Sequence, residues 1–133
     1  MEHFRVHTEH RDKITKEMYL KAIYYLSQEY KRPPRAAELE KYLHLAKATL
    51  SEMLKKLDRE KYIQYKSYRP ILLTKKGLQK AQQISHNYEV IRDFLVHVLH
   101  VDPKRAVQEA CELEHGFTDD TVEKLELYLK QIS

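Results

Sequence analysis

Between the Pro33-Pro34 break and Thr74 the chain carries two short amphipathic segments followed by two short segments of β character, an order that leaves few architectures open. Residues 36–43 put Ala37, Leu39 and Leu43 on one helical face, and residues 48–59 do the same with Leu50, Met53, Leu54 and Leu57. The brief connector His44-Leu-Ala-Lys-Ala48 makes the two a helix-turn-helix. Tyr62-Ile-Gln-Tyr-Lys66 and Pro70-Ile-Leu-Leu-Thr74, joined by Ser67-Tyr-Arg69, then read as a hairpin, which in this position is a wing.

The flanking sequence is helical in pattern, with only 2 Gly and 4 Pro to interrupt it. A helix is expected from an N-cap at Thr15 to about Glu29, with Met18, Tyr19, Ala22, Ile23 and Leu26 in register. A long helix is expected over 75–99, carrying Leu78, Ala81, Ile84, Tyr88, Ile91, Leu95 and Val98. After Val101-Asp-Pro103 another should run to a terminal glycine at Gly116, and a last one should open at Thr118-Asp-Asp120 and present Val122, Leu125 and Leu129. These three C-terminal helices have more apolar face than so small a lobe can cover, which points to a homodimer.

Charge divides along the chain. Residues 1–75 hold 17 Lys/Arg against 10 Asp/Glu, a balance of +7, whereas residues 76–133 hold 7 against 10, a balance of −3. A basic first half suits a polyanion, and an acidic second half suits cations or self-association. On the outer face of the third helix stand Lys47, Thr49, Ser51, Glu52, Lys55 and Lys56, and the wing adds Lys66 and Arg69. Short hydroxyls can approach base edges while Lys and Arg hold phosphates; a merely solvated face is the plainer alternative, and the order of helices and wing favours DNA. No apolar run approaches membrane-spanning length, no signal peptide is visible, and one cysteine excludes an internal disulfide framework, so a cytoplasmic protein is expected.

Glu109-Ala-Cys-Glu-Leu-Glu-His115 sets Cys111, Glu114 and His115 at i, i+3 and i+4 of the expected helix, within reach of one divalent cation. A lone helical Cys is also commonly a small buried hydrophobe, and a Glu-His pair a solvated edge, so the spacing leaves both readings open. His3, His7 and His10 could hold a metal on a helix or belong to a frayed terminus. A metallohydrolase would need a nearby base, and the chain has no His-Glu-x-x-His motif.

With winged helix and Cys-x-x-Glu-His set together, the chain resembles the diphtheria toxin repressor / manganese transport regulator family of metal-dependent repressors. TKEMYLKAIYYL, LSEMLKKLDREKYIQYKSYRPILLT and EACELEHGFTDDTVEKL carry the resemblance, which runs from about Thr15 to Leu129. It implies a two-domain form without the SH3-like third domain. It also implies a primary metal site of Met18, Cys111, Glu114 and His115, in the pattern of the iron-responsive branch. The manganese branch has carboxylates where Met18 and Cys111 stand and an acidic ligand where this chain has Lys21. Thioether, thiolate, imidazole and carboxylate make a softer set than manganese prefers, so Fe2+ is the expected effector, Mn2+ the alternative, and Co2+, Ni2+ or Zn2+ substitutes in vitro. At the family's ancillary site the resemblance puts Tyr88, Arg92 and Val107, which are poor ligands. His86 and Glu89 lie close by, out of register, as a possible second site. Pro70 stands where the family usually has Gly in the wing.

The reading is therefore a mainly α chain: a flexible N-terminus at 1–14, a winged helix-turn-helix DNA-binding domain at 15–75, and a helical metal-binding and dimerisation domain at 76–133. As a homodimeric repressor of metal-uptake genes it would bind a double-stranded, palindromic operator, metal fixing the two recognition helices at half-sites ~34 Å apart. A winged-helix protein without metal response is the rival; it would keep its DNA affinity in chelator.

Overall fold

The computed structural model describes the backbone of Glu2–Ser133 and the side chains from Thr15 onward. The expected flexible segment at 1–14, with His3, His7 and His10, lies outside the described side chains. The chain is mainly helical, in the order α1 (Glu2–Tyr30), α2 (Ala36–Leu43), α3 (Lys47–Arg59), β1 (Ile63–Gln64), β2 (Leu72–Leu73), α4 (Lys75–His97), α5 (Pro103–Leu113) and α6 (Asp119–Ile132). It divides into two compact units, residues 1–82 and 83–133, so that the division falls inside α4. No helix among the described residues is long and apolar enough to cross a membrane.

In the first unit, α1, α2, α3 and the hairpin enclose a core of which Leu20, Ile23, Leu39, Leu50, Leu54 and Ile63 are fully buried. The strands pair antiparallel with Ile63 opposite Leu73 and Gln64 opposite Leu72. Before the pairing begins, Ile71 N–H donates to Pro34 O at 2.8 Å, fastening the returning arm of the hairpin to the segment that precedes α2. At the turn of the helix-turn-helix, His44 takes the left-handed conformation (φ 55°) that ends α2 without a glycine.

A dense junction joins hairpin to α4. Thr74 accepts from Gly77 N–H at 3.1 Å, capping the helix, and its hydroxyl lies 2.7 Å from Lys61 O and 3.0 Å from Tyr62 O. A Cβ at Gly77 would meet Tyr62 O at 1.9 Å, so the backbones touch only because residue 77 has no side chain. Lys76 Nζ sits 4.2 Å from the Tyr62 ring centroid.

The second unit is built on Val90, Ile91 and Leu95 of α4, Ala106 and Ala110 of α5 and Val122 of α6. Asp102 caps α5 by accepting from Arg105 N–H, and Thr118 caps α6 by accepting from Thr121 N–H. Buried Asn87 links two elements: its Nδ2 donates to Asp119 Oδ1 (3.0 Å) while its Oδ1 accepts from Gln83 Nε2 (2.9 Å).

Several expectations need correcting. Thr15 lies within α1 instead of capping it. The inward stripe of α2 is Ala36, Leu39 and Leu43, at i, i+3 and i+7, which leaves Ala37 exposed. In α4 Gly77 lies against Tyr62 and Ala81 enters the core, so Leu78 between them is exposed. Met18, one position from buried Tyr19, is 48% exposed. Finally, α5 ends at Leu113 with Glu114 as a right-handed C-cap, and Gly116 has no positive φ, so its backbone freedom is not what stops the helix.

Candidate metal centre and nucleic-acid interface

The third helix turns Leu50, Leu54 and Leu57 inward, which leaves the opposite face to water. Lys47, Thr49, Glu52 and Lys55 are exposed on it, with Ser51 and Lys56 half-buried at its margin. Its first turn contains no acidic residue. In the wing, Lys66, Ser67, Tyr68 and Arg69 are all exposed. Each DNA-facing candidate from the sequence thus lies on the first unit's polar surface or its edge, where a phosphate backbone could be met.

Tyr68 and Arg35 were not singled out from the sequence. Tyr68 heads the wing with φ 65° and is 96% exposed, and Arg35 Nη1 donates to its carbonyl at 3.2 Å. An aromatic residue flanked by Lys66 and Arg69 at a hairpin apex was the available signal. Glu17 was also missed: it is buried, with Oε2 3.3 Å from Lys80 Nζ. No sequence pattern separates it from an ordinary surface glutamate.

The metal candidates are distributed over both units, Met18 in the first and Cys111, Glu114 and His115 in the second. Glu114 continues the helical path one residue past α5 (φ −57°, ψ −26°), its N–H donating to Ala110 O at 2.9 Å. The expected i, i+3, i+4 relation is only partly realised. Glu114 and His115 are both buried, with His115 Nε2 3.2 Å from Glu114 Oε1, whereas Cys111 in the last turn of α5 is exposed. Among the described residues no three of His, Cys, Asp and Glu converge on one point. An imidazole and a carboxylate are therefore paired away from solvent, and a thiol lies one turn off. This donor chemistry, an imidazole, a carboxylate and a thiol, fits a transition-metal ion.

At the ancillary positions, the Arg92 guanidinium lies 5.5 Å from the Tyr88 ring centroid and 3.2 Å from Asp93 Oδ1, and Val107 is exposed. Burial works against the charge on Arg92, but the hydrogen bond and charge of Asp93, and then Tyr88, outweigh it and raise its pKa. The out-of-register pair separates in its contacts: His86 Nε2 lies 3.2 Å from Glu126 Oε2 on α6, and Glu89 is exposed.

Comparison with known proteins also finds two parts, with the boundary before α4 and not within it. Residues 14–71 match the family model of the iron dependent repressor N-terminal DNA binding domain, and residues 74–133 match that of the iron dependent repressor metal binding and dimerisation domain. An HTH-type transcriptional regulator of Methanocaldococcus jannaschii is 38% identical over 115 residues, covering 86% of this chain and 92% of that one. The HTH-type transcriptional regulator MntR of Shouchella clausii is 28% identical over 109 residues, 82% and 75% of the two chains. The solved structure of the manganese regulator SloR superposes with a TM-score of 0.72 at 31% identity, covering 86% of this chain; the chain spans about half (53%) of that one. Members of this family are transcriptional regulators and not enzymes. With both of its domain models matched in order and its winged helix in place, the chain belongs to the diphtheria toxin repressor / manganese transport regulator family of metal-dependent transcriptional repressors.

Proposed function

We propose that the chain is a cytoplasmic, homodimeric repressor activated by Fe2+, which binds a palindromic operator before metal-uptake genes when the metal is plentiful. The observation that carries this reading is the buried Glu114–His115 pair beside the thiol of Cys111, in the domain matched as metal-binding. Met18, Cys111, Glu114 and His115 are the proposed ligands. When bound, the cation supplies a charge that organises these four donors and carries out no reaction. His115 presents Nε2, Glu114 a carboxylate already within reach of that nitrogen, Cys111 a thiolate after loss of its proton, and Met18 a thioether.

Exposure of Met18 supports a role other than core packing, since a methionine that faces water forgoes the burial that would stabilise it by about 1.5–3 kcal/mol. The basic outer face of α3 supports the DNA half of the reading. Coupling between the two follows from linkage: if metal favours the DNA-competent arrangement, DNA must tighten metal binding by the same factor. A manganese-responsive regulator is the second reading, favoured by the likeness to the manganese regulator SloR. Against it stand the sulfur donors at 18 and 111 and the lysine at 21.

Fluorescence anisotropy on DNA from upstream of the protein's own coding region tests both. Measured anaerobically in chelator and then with each divalent metal, affinity should rise with Fe2+ well below the concentration at which Mn2+ acts. Equal affinity in chelator would remove metal control, and a lower threshold for Mn2+ would establish the second reading.

A further inference from the structure

Tyr68 combines three properties that do not coincide by default. Its side chain is 96% exposed, its backbone sits in the left-handed region at φ 65°, which bulky residues rarely adopt, and its turn is braced on both sides. Arg69 N–H donates to Lys66 O at 3.1 Å, Arg35 Nη1 holds the Tyr68 carbonyl at 3.2 Å, and Pro70 fixes φ just beyond. Nothing in folding gains from placing an aromatic ring there, because it covers no core. What the arrangement does is present a ring on a turn held by two hydrogen bonds, between two exposed cations, Lys66 and Arg69.

We infer that Tyr68 is a DNA-contacting residue of the wing, its ring lying against the sugars and base edges of the groove beside the one read by α3, with Lys66 and Arg69 on the flanking phosphates. The cations choose the partner: an aromatic tip with a basic rim on a domain whose charge balance is positive matches a polyanion whose groove walls are apolar sugar edges. Bracing of the turn lowers the ordering cost of binding, since the loop is already in the conformation that presents the ring. Arg35 is by this account a positioning residue, acting through the carbonyl it holds. The inference rests on the DNA-binding reading above, and it is specific to one side chain that no helix-turn-helix pattern would select.

The absence of tryptophan from the chain makes a direct test available. Tyr68→Trp, as the full chain with Zn2+, which does not quench fluorescence, gives a single tryptophan, at the wing tip, that can be excited apart from the remaining tyrosines. On saturation with duplex from upstream of the coding region, quenching by acrylamide should fall at least about twofold; unchanged quenching at saturation overturns the proposal. Alongside it, Tyr68→Gly removes the ring and relieves the left-handed backbone, so binding should weaken about tenfold while the thermal midpoint holds or rises. Loss of affinity therefore cannot be ascribed to misfolding. Tyr68→Phe keeps the ring and should remain within about threefold of wild type. If Tyr68→Gly binds as wild type does while Lys55→Glu on α3 loses affinity, the wing tip is idle and the DNA-binding reading stands. If the wild type binds no duplex under any metal, both readings fall.

Discussion

His115 Nε2 lies 3.2 Å from Glu114 Oε1, and these two residues, adjacent in sequence, are both more than nine-tenths buried. Both belong to the proposed ligand set, so an imidazole nitrogen and a carboxylate of that set face each other out of solvent. A cation held between them would meet two groups that already stand side by side.

His115→Ala should leave a folded protein, by circular dichroism, whose DNA affinity no longer responds to metal. Thermal melting checks this independently of DNA. Wild type should gain about 2.7 kcal/mol at a Co2+ concentration one hundred times its Kd, and the variant should gain close to nothing. A variant that is stabilised as wild type is would remove His115 from the ligand set.

Met18→Asp should shift metal preference from Fe2+ toward Mn2+ by replacing a soft thioether with a hard carboxylate. Because Met18 is exposed, stability should change by less than about 1 kcal/mol, so the ranking can be compared on equally folded proteins. An unaltered ranking of metals in the anisotropy assay would show that the thioether is not a ligand.

One equivalent of Co2+ per subunit is expected by anaerobic titration calorimetry. Arg92, stacked on Tyr88 and bonded to Asp93, brings a fixed cation to the ancillary positions and repels a second metal. His86, moreover, spends its Nε2 on Glu126. Two equivalents that fall to one in His86→Ala/Glu89→Ala would establish a second site.

Gly77→Ala should destabilise the first unit by about 3 kcal/mol, since its Cβ would press on the backbone oxygen of Tyr62, which no rotamer change can move. Chemical denaturation measures it; a loss below about 1 kcal/mol, the ordinary range for a surface helical site, would mean that α4 can rotate away.

Acid should weaken the entry to α2. Glu38 accepts from Arg32 Nη1 and Nη2 at 2.9 and 2.6 Å and from Arg35 N–H at 2.9 Å, and these bonds, the Arg32 pair first, lower its pKa from 4.5 to about 2. A depressed carboxylate pKa adds stability that is complete above the unfolded value of 4.5 and disappears as pH falls from there to about 2. The pair is open to water, so solvent screening keeps the contribution small. Glu38→Gln should flatten the stability profile across that window, and an identical slope in the variant would assign the acid sensitivity elsewhere.

Periodicity located the bounds of α2 at Ala36–Leu43, though not which alanine faces in, and gave the Leu50, Met53, Leu54 and Leu57 stripe of α3, because a helix with four apolar residues in register has one face to bury. Pro33-Pro34 and Thr118-Asp-Asp120 marked boundaries for an equally local reason, the chemistry of helix ends. The spacing of Cys111, Glu114 and His115 likewise identified candidate donors. Tertiary structure decided what local pattern cannot: that Met18 faces water, that Glu17 beside it is buried against Lys80, and that Glu114 and His115 are sealed while Cys111 stays exposed. It also decided how the start of α4 meets the hairpin, where Gly77 lies against the Tyr62 carbonyl some fifteen residues earlier, Lys76 over the Tyr62 ring and Ala81 in the first core. A helix repeat defines faces relative to one another, but which face meets the core depends on contacts between residues distant in sequence, and those exist only once the chain has folded.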